Sequence, residues 1–217
     1  MENRFGGRNV LYFVLLSVTL LFLPGCFSRL NVGTPYSLKI DPKEYQPVVL
    51  LPILSAPDQP ESGSALYSFI RDNLEGKGYI LAKEPEVSAA LEELRLTPLL
   101  LLSDSAGLIK LGQRLKAKLL FIGTIPEYKV QKSYWGASSF QVWDQPFEYA
   151  TLPTYHLGTC QIKVFLRMFE AEKGELVWGA EGTIRASSAS GEVYARKLAE
   201  RLLEELPSTF PHAENKK

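Results

Sequence analysis

The residues of this 217-residue chain best equipped for chemistry are its two cysteines and two histidines. His156 stands four positions before Cys160, bringing an imidazole and a thiol close in sequence. A working thiol nucleophile needs such a base together with an orienting acid. The run TCQIKVFLRMF instead alternates, setting Cys160, Ile162, Val164, Leu166 and Met168 on one side of a strand, where cysteine packs as a small hydrophobe. A catalytic metal requires several converging ligands; His156 has no spaced partner, and His212 falls in a polar tail. There is no G-x-S-x-G, and EGKGYI has too few glycines for a phosphate loop and follows a helix pattern, so Gly76 and Gly78 predict a helix-ending turn. Glu84, Glu86, Glu92 and Glu93 read as the solvated face of a helix, not as an opposed acid pair in a cleft. The chain is expected to be no enzyme and to hold no metal and no cofactor.

Cys26 carries the one specific signal. Arg4 and Arg8 precede an uncharged run, Val10–Leu23, that is shorter than the roughly 20 residues needed to span a bilayer and matches the apolar region of an export signal. The order Leu23-Pro24-Gly25-Cys26 resembles the lipobox of bacterial lipoproteins, with Pro24 an uncommon choice. The resemblance implies attachment of a diacylglyceryl group to the thiol, cleavage after Gly25, and a third acyl chain on the new amino terminus. Only cysteine supplies the soft sulfur nucleophile for that thioether. Several acyl chains such as palmitate, at about 0.8 kcal/mol per buried methylene, make a far stronger anchor than one. An ordinary secretory signal with a coincidental cysteine, or an uncleaved anchor, are the alternatives. Phe27 and Ser28 follow the cysteine, without the Asp that marks inner-membrane retention in bacterial lipoproteins. That absence implies the inner leaflet of the outer membrane, with the domain facing the periplasm.

Removing residues 1–25 leaves 192 residues, enough for one domain with a real hydrophobic core. The 24 basic and 24 acidic residues of the whole chain become 22 and 23, because Arg4, Arg8 and Glu2 are lost. A near-neutral chain gives no electrostatic case for nucleic acid.

Residues 26–47, with scattered Pro and Gly and little periodicity, read as a lipidated tether. A single α/β domain is expected over 48–207. VVLLPIL at 48–54 is a short buried strand, and Leu66, Phe69, Ile70 and Leu74 mark a helix that Ser62 or Ser64 could cap and Gly76 could end. GYILAK reads as a short strand; Val87, Ala90, Leu91 and Leu94 mark a helix after Pro85; Leu108, Leu111 and Leu115 mark another after Asp104 and Ser105. AKLLFIGTI follows as a central strand. This order points to a mixed, partly parallel sheet flanked by helices. Two alternating segments around Glu172–Glu175 form an antiparallel carboxy-terminal hairpin, and Tyr194, Leu198, Leu202 and Leu206 mark a last helix stopped by Pro207. Residues 208–217 read as a flexible tail.

Residues 131–158 stand apart. They hold seven aromatics, Tyr134, Trp135, Phe140, Trp143, Phe147, Tyr149 and Tyr155, among turn formers and few charges. Two readings stay open: a hairpin or long loop covering an edge of the sheet, or a partner surface facing another subunit, peptidoglycan-associated proteins or lipid headgroups.

Four stretches, VVLLPI at 48–53, LEGKGYILAKEPEV at 74–87, KLGQRLKAKLLFIGTI at 110–125 and GELVWGAEG at 174–182, carry a family resemblance. The chain resembles bacterial periplasmic lipoproteins of unknown function, whose domain is similar to those of the curli-assembly lipoprotein, the lipoprotein activator of penicillin-binding proteins and the TolB amino-terminal domain. In this resemblance Gly112, Ala117 and Gly123 look like close-packing positions, and Gly174 like a strand-joining turn. It implies a noncatalytic adaptor or assembly component, bound to an envelope protein or forming a homo-oligomer. The chain departs from the curli protein in having no evident pair of long membrane hairpins. A transport-accessory or carrier lipoprotein with a small apolar pocket is the alternative.

Overall fold

A computed structural model describes residues 28–33, 35–37, 46–141, 149–187 and 190–206. Cys26, the expected signal segment, Trp143, Phe147 and the tail lie outside the described residues.

The core is a six-stranded sheet. Val48–Leu50 (β3) pairs parallel with Leu119–Gln131 (β4), and β4 pairs antiparallel with Thr159–Glu170 (β7). Glu175–Ala186 (β8) follows, antiparallel to β7. Its outer edge is occupied by Ser28–Val32 (β1) and Tyr36–Ser37 (β2). The sheet is therefore mixed, with its one parallel pair of named strands formed across the helical crossover between β3 and β4. GYILAK yields only a parallel bridge between Leu81 and Val48, because the chain leaves the sheet again at Lys83 to start a helix.

Alternation sorts the strand residues into two cores. On one face Phe121, Ile162, Val164, Leu166, Trp178 and Ile184 pack against helices Ser62–Gly76 (α1) and Gly191–Glu204 (α5). Phe121 and Trp178 stack with ring centroids 5.9 Å apart. On the other face Val49, Leu51, Leu120, Ile122 and Phe169 pack against Glu84–Leu94 (α2), the single turn Pro98–Leu101 (α3) and Ser105–Leu115 (α4). Asp104 caps α4 by accepting from the Gly107 amide at 3.0 Å, a contact worth about 1 kcal/mol. Ser62 and Ser64 do not cap α1: Ser62 Oγ donates to the Gln59 carbonyl at 2.7 Å and accepts from the Ala56 amide at 3.1 Å, so it ties down the preceding loop. Gly78 (φ +88°), not Gly76, supplies the left-handed residue after α1. Close packing falls where expected: a Cβ on Gly112 would lie 2.4 Å from the Ala171 Cβ, and one on Gly123 2.5 Å from Ile53 Cδ1. Gly174, at φ +67°, closes the β7–β8 turn.

Ser28–Val32 and Tyr36–Ser37, expected within a spacer, instead pair along β8. Leu30 pairs with Ile184 but stays exposed, while half-buried Val32 packs on the first core and, with the β1–β8 ladder, holds the edge strand in place. Sequence periodicity missed this because β1 is short and half exposed.

Candidate functional site

Among its described residues the aromatic segment is a hairpin that pairs with no edge of the main sheet. Tyr134–Gln141 (β5) and Tyr149–His156 (β6) form a two-stranded antiparallel sheet of their own, pairing with no other strand among the described residues. The pairs Gln131↔Thr159 and Tyr134↔His156 belong to one register, so β5 and β6 prolong β4 and β7 beyond the end of the main sheet. At the joint the Gly158 amide donates to Ser133 Oγ at 2.8 Å. Eight residues per strand, at about 3.3 Å each, make an arm roughly 26 Å long.

Cross-strand pairing assembles the aromatics. Tyr134 stacks on His156 with centroids 4.6 Å apart, and Trp135 meets Tyr155 at 5.1 Å. Because successive side chains point to opposite faces, the two pairs lie on opposite faces of the arm. At the arm's root both faces are exposed among the described residues: Tyr134 is 48% exposed, Trp135 72% and Tyr155 49%. Phe140 pairs with Ala150 and Tyr149 with Gln141, which places both toward the arm's tip. Pro153 lacks the amide a central strand would need, and β6 tolerates it as an edge. An isolated two-stranded hairpin is marginal in water; here the β4–β7 ladder supports one end only.

A second feature lies beside the arm's root. The helices on the second face leave the upper part of β4, β7, β8 and β1 bare, and the register sets Arg29, Arg185, Gln161 and Lys129 in one row across four strands. Lys129 Nζ lies 2.8 Å from Glu127 Oε1, and Gln161 donates to Glu127 Oε2 at 2.8 Å. The Lys129 and Gln161 hydrogen bonds hold the Glu127 carboxyl below its usual range, with the nearby Arg185 charge adding to the effect. Farther down, Phe165 lies between Lys163, 4.7 Å from its centroid, and Arg167 at 6.0 Å. An open groove of about 640 Å³ runs over the row. Its lining joins Arg29, Lys129, Arg185 and Asp58 to the apolar Tyr128, Val130 and Ala186.

His156 and Cys160 are not brought into a catalytic pair. His156 stacks on Tyr134, while Cys160 is buried and its thiol pKa is raised by that burial. Among the described residues no cluster of His, Cys, Asp or Glu could hold a metal. No helix among them is long and apolar enough to cross a membrane. Of the aromatics singled out in the sequence, Tyr134, Trp135 and Tyr155 are exposed; the cationic row was not foreseen. Alternation in EYKVQ and TIRAS did place those charges on one side of each strand, yet their alignment depends on the β1–β8 register.

No protein-family model matches the chain, and no curated protein matches it. Among solved structures, the chain is similar to the PelC dodecamer of Paraburkholderia phytofirmans, with 18% identity over 84% of this chain and 99% of that one and a TM-score of 0.47. Lipoprotein GNA1162 from Neisseria meningitidis shows 14% identity over 72% and 94%, with a TM-score of 0.48. The LpoB C-terminal domain from Escherichia coli shows 11% identity over 68% and 86%, with a TM-score of 0.42. The structural neighbours thus include a lipoprotein, as the sequence motifs led one to expect, and at these identities and scores no property of theirs transfers to this chain.

Proposed function

We propose that this chain is a noncatalytic, lipid-anchored periplasmic adaptor or assembly component, held through Cys26 in the inner leaflet of the outer membrane. Its β5–β6 arm binds an envelope protein or a second copy of the chain. The observation that carries this reading is the arm itself: a two-stranded hairpin with aromatic pairs on both faces and Trp135 72% exposed. Exposed Trp and Tyr on a half-supported hairpin supply contact area and polar edges that a partner can satisfy.

The test is crosslinking of the full-length protein expressed in a bacterial host, in native membranes, comparing wild type with a variant whose residues 134–156 are replaced by a short Gly-Ser turn. A discrete partner or self-adduct captured by wild type and lost in the variant supports the reading. Equal capture by both would remove the arm from the interface.

A further inference from the structure

We propose that the row Arg29, Arg185 and Lys129, at the end of the sheet from which the arm projects, is a docking surface for the phosphates of anionic lipid headgroups. The proposal rests on the lipid-anchor reading of Cys26. Three observations carry it.

First, the amino-terminal segment is not a free tether. Ser28 is already paired with Ala186, so only two residue steps separate the acyl-bearing position from a fixed point on the sheet. Two residues reach at most about 7 Å, less than the Debye length of about 8 Å at physiological salt. An acylated Cys26 therefore holds Ser28 and Arg29 within electrostatic range of the headgroups, and Lys129, three strands and about 14 Å away, enters that range when this end of the sheet lies along the membrane.

Second, the charges at that corner are arranged against local stability. Arg29 and Arg185 are direct cross-strand partners, a placement in which like charges repel. Neither makes a salt bridge among the described residues. Lys129 shares Glu127, and Asp58 is the acidic residue lining the same groove, so an excess of positive charge remains. Glu127, already held by Lys129 and Gln161, offsets Arg185 only in part, and Arg29 has no ion-pair partner among the described residues, so the cross-strand repulsion points to a partner that supplies the missing charge. The chain as a whole is balanced at 24 basic and 24 acidic residues, so the excess is local.

Third, the face that carries the row continues along the same register onto the arm, where Trp135, Tyr155 and Leu157 are exposed. Basic residues beside Trp and Tyr suit the interfacial layer of a bilayer. The strands' other ends, near Lys116 and the Gly174 turn, lie away from it.

The test uses the mature protein from a bacterial host, reconstituted into phosphatidylethanolamine–phosphatidylglycerol vesicles and, separately, into neutral detergent micelles. Lysines are acetylated under limiting reagent and read by mass spectrometry, and intact mass reports the acyl chains on Cys26. Headgroup contact predicts that Lys129 reacts about fivefold or more slowly in vesicles than in micelles, the factor expected per surface-bound cation, with Lys116 unchanged. The double variant Arg29→Gln/Arg185→Gln, which relieves a like-charge pair and so should melt no lower than wild type, loses most of that protection. Acylated protein whose Lys129 reacts equally in vesicles and micelles overturns the docking surface alone. Equal protection in zwitterionic phosphatidylcholine vesicles overturns its electrostatic basis, and protection in micelles that grows with protein concentration assigns the row to a second copy instead. An unmodified Cys26 overturns the anchor reading and this proposal with it.

Discussion

Truncating Trp135 to alanine separates the arm's contribution to folding from its contribution to binding. Full burial of a large aromatic covers about 150–250 Å²; with Trp135 72% exposed, roughly 60 Å² is already covered, chiefly by Tyr155, and about 160 Å² remains for a partner. At roughly 25 cal/mol/Å² these areas correspond to upper limits of about 1.5 kcal/mol within the arm and about 4 kcal/mol at an interface. The first is confined to a hairpin that adds nothing to either core, so the global unfolding free energy should stay within about 0.5 kcal/mol of wild type. Urea denaturation followed by the fluorescence of buried Trp178 reads that quantity, with Leu166→Ala, expected to cost about 2–5 kcal/mol, as the core reference. Partner affinity should fall by at least about 2 kcal/mol, or about thirtyfold. Two results would refute the reasoning: a Trp135→Ala midpoint as low as that of Leu166→Ala, or unchanged partner affinity.

Further expectations concern packing and titration. Gly112→Val places its side chain against the Ala171 Cβ, 2.4 Å from where a Cβ would sit, and should destabilise by about 1–3 kcal/mol in chemical denaturation. The Glu127 carboxyl has a lowered folded pKa, caused first by the Lys129 hydrogen bond and then by Gln161. Its stabilising contribution is therefore full above the ordinary carboxylate range and lost as pH falls through the depressed value, so wild type and Glu127→Gln should converge in urea midpoint at low pH and differ at pH 7. Cys160 is buried with a raised pKa, so its labelling by a thiol reagent at pH 7 should be negligible in native protein and appear in step with unfolding; prompt labelling would contradict its place in the core.

Much of the α/β framework is legible in the sequence because its elements carry strong periodic signals. The alternation from Cys160 to Met168 and the spacing of Leu198 and Leu202 each bury the residues they nominate. Less legible are features fixed by register between distant segments. Nothing in Ser28–Val32 announces pairing with β8, and GYILAK has the composition of a strand yet makes only one bridge, since Pro85 starts a helix four residues beyond Leu81. The exposed aromatics were legible as a class, but not their division between two faces of an arm, which follows from the continuous β4–β7 register. The cationic row was not legible, because Arg29 and Arg185 are 156 positions apart and become neighbours only through the edge strand.

The central claim is that the arm, and not some other exposed apolar site, meets the partner. A photoreactive amino acid placed at position 135 in the full-length protein, irradiated in native membranes, tests it most directly. Position 99 on α3, where Leu99 is 64% exposed, serves as the control. The account predicts a discrete adduct from position 135 and none from position 99. An adduct from position 99 with none from position 135 would contradict it.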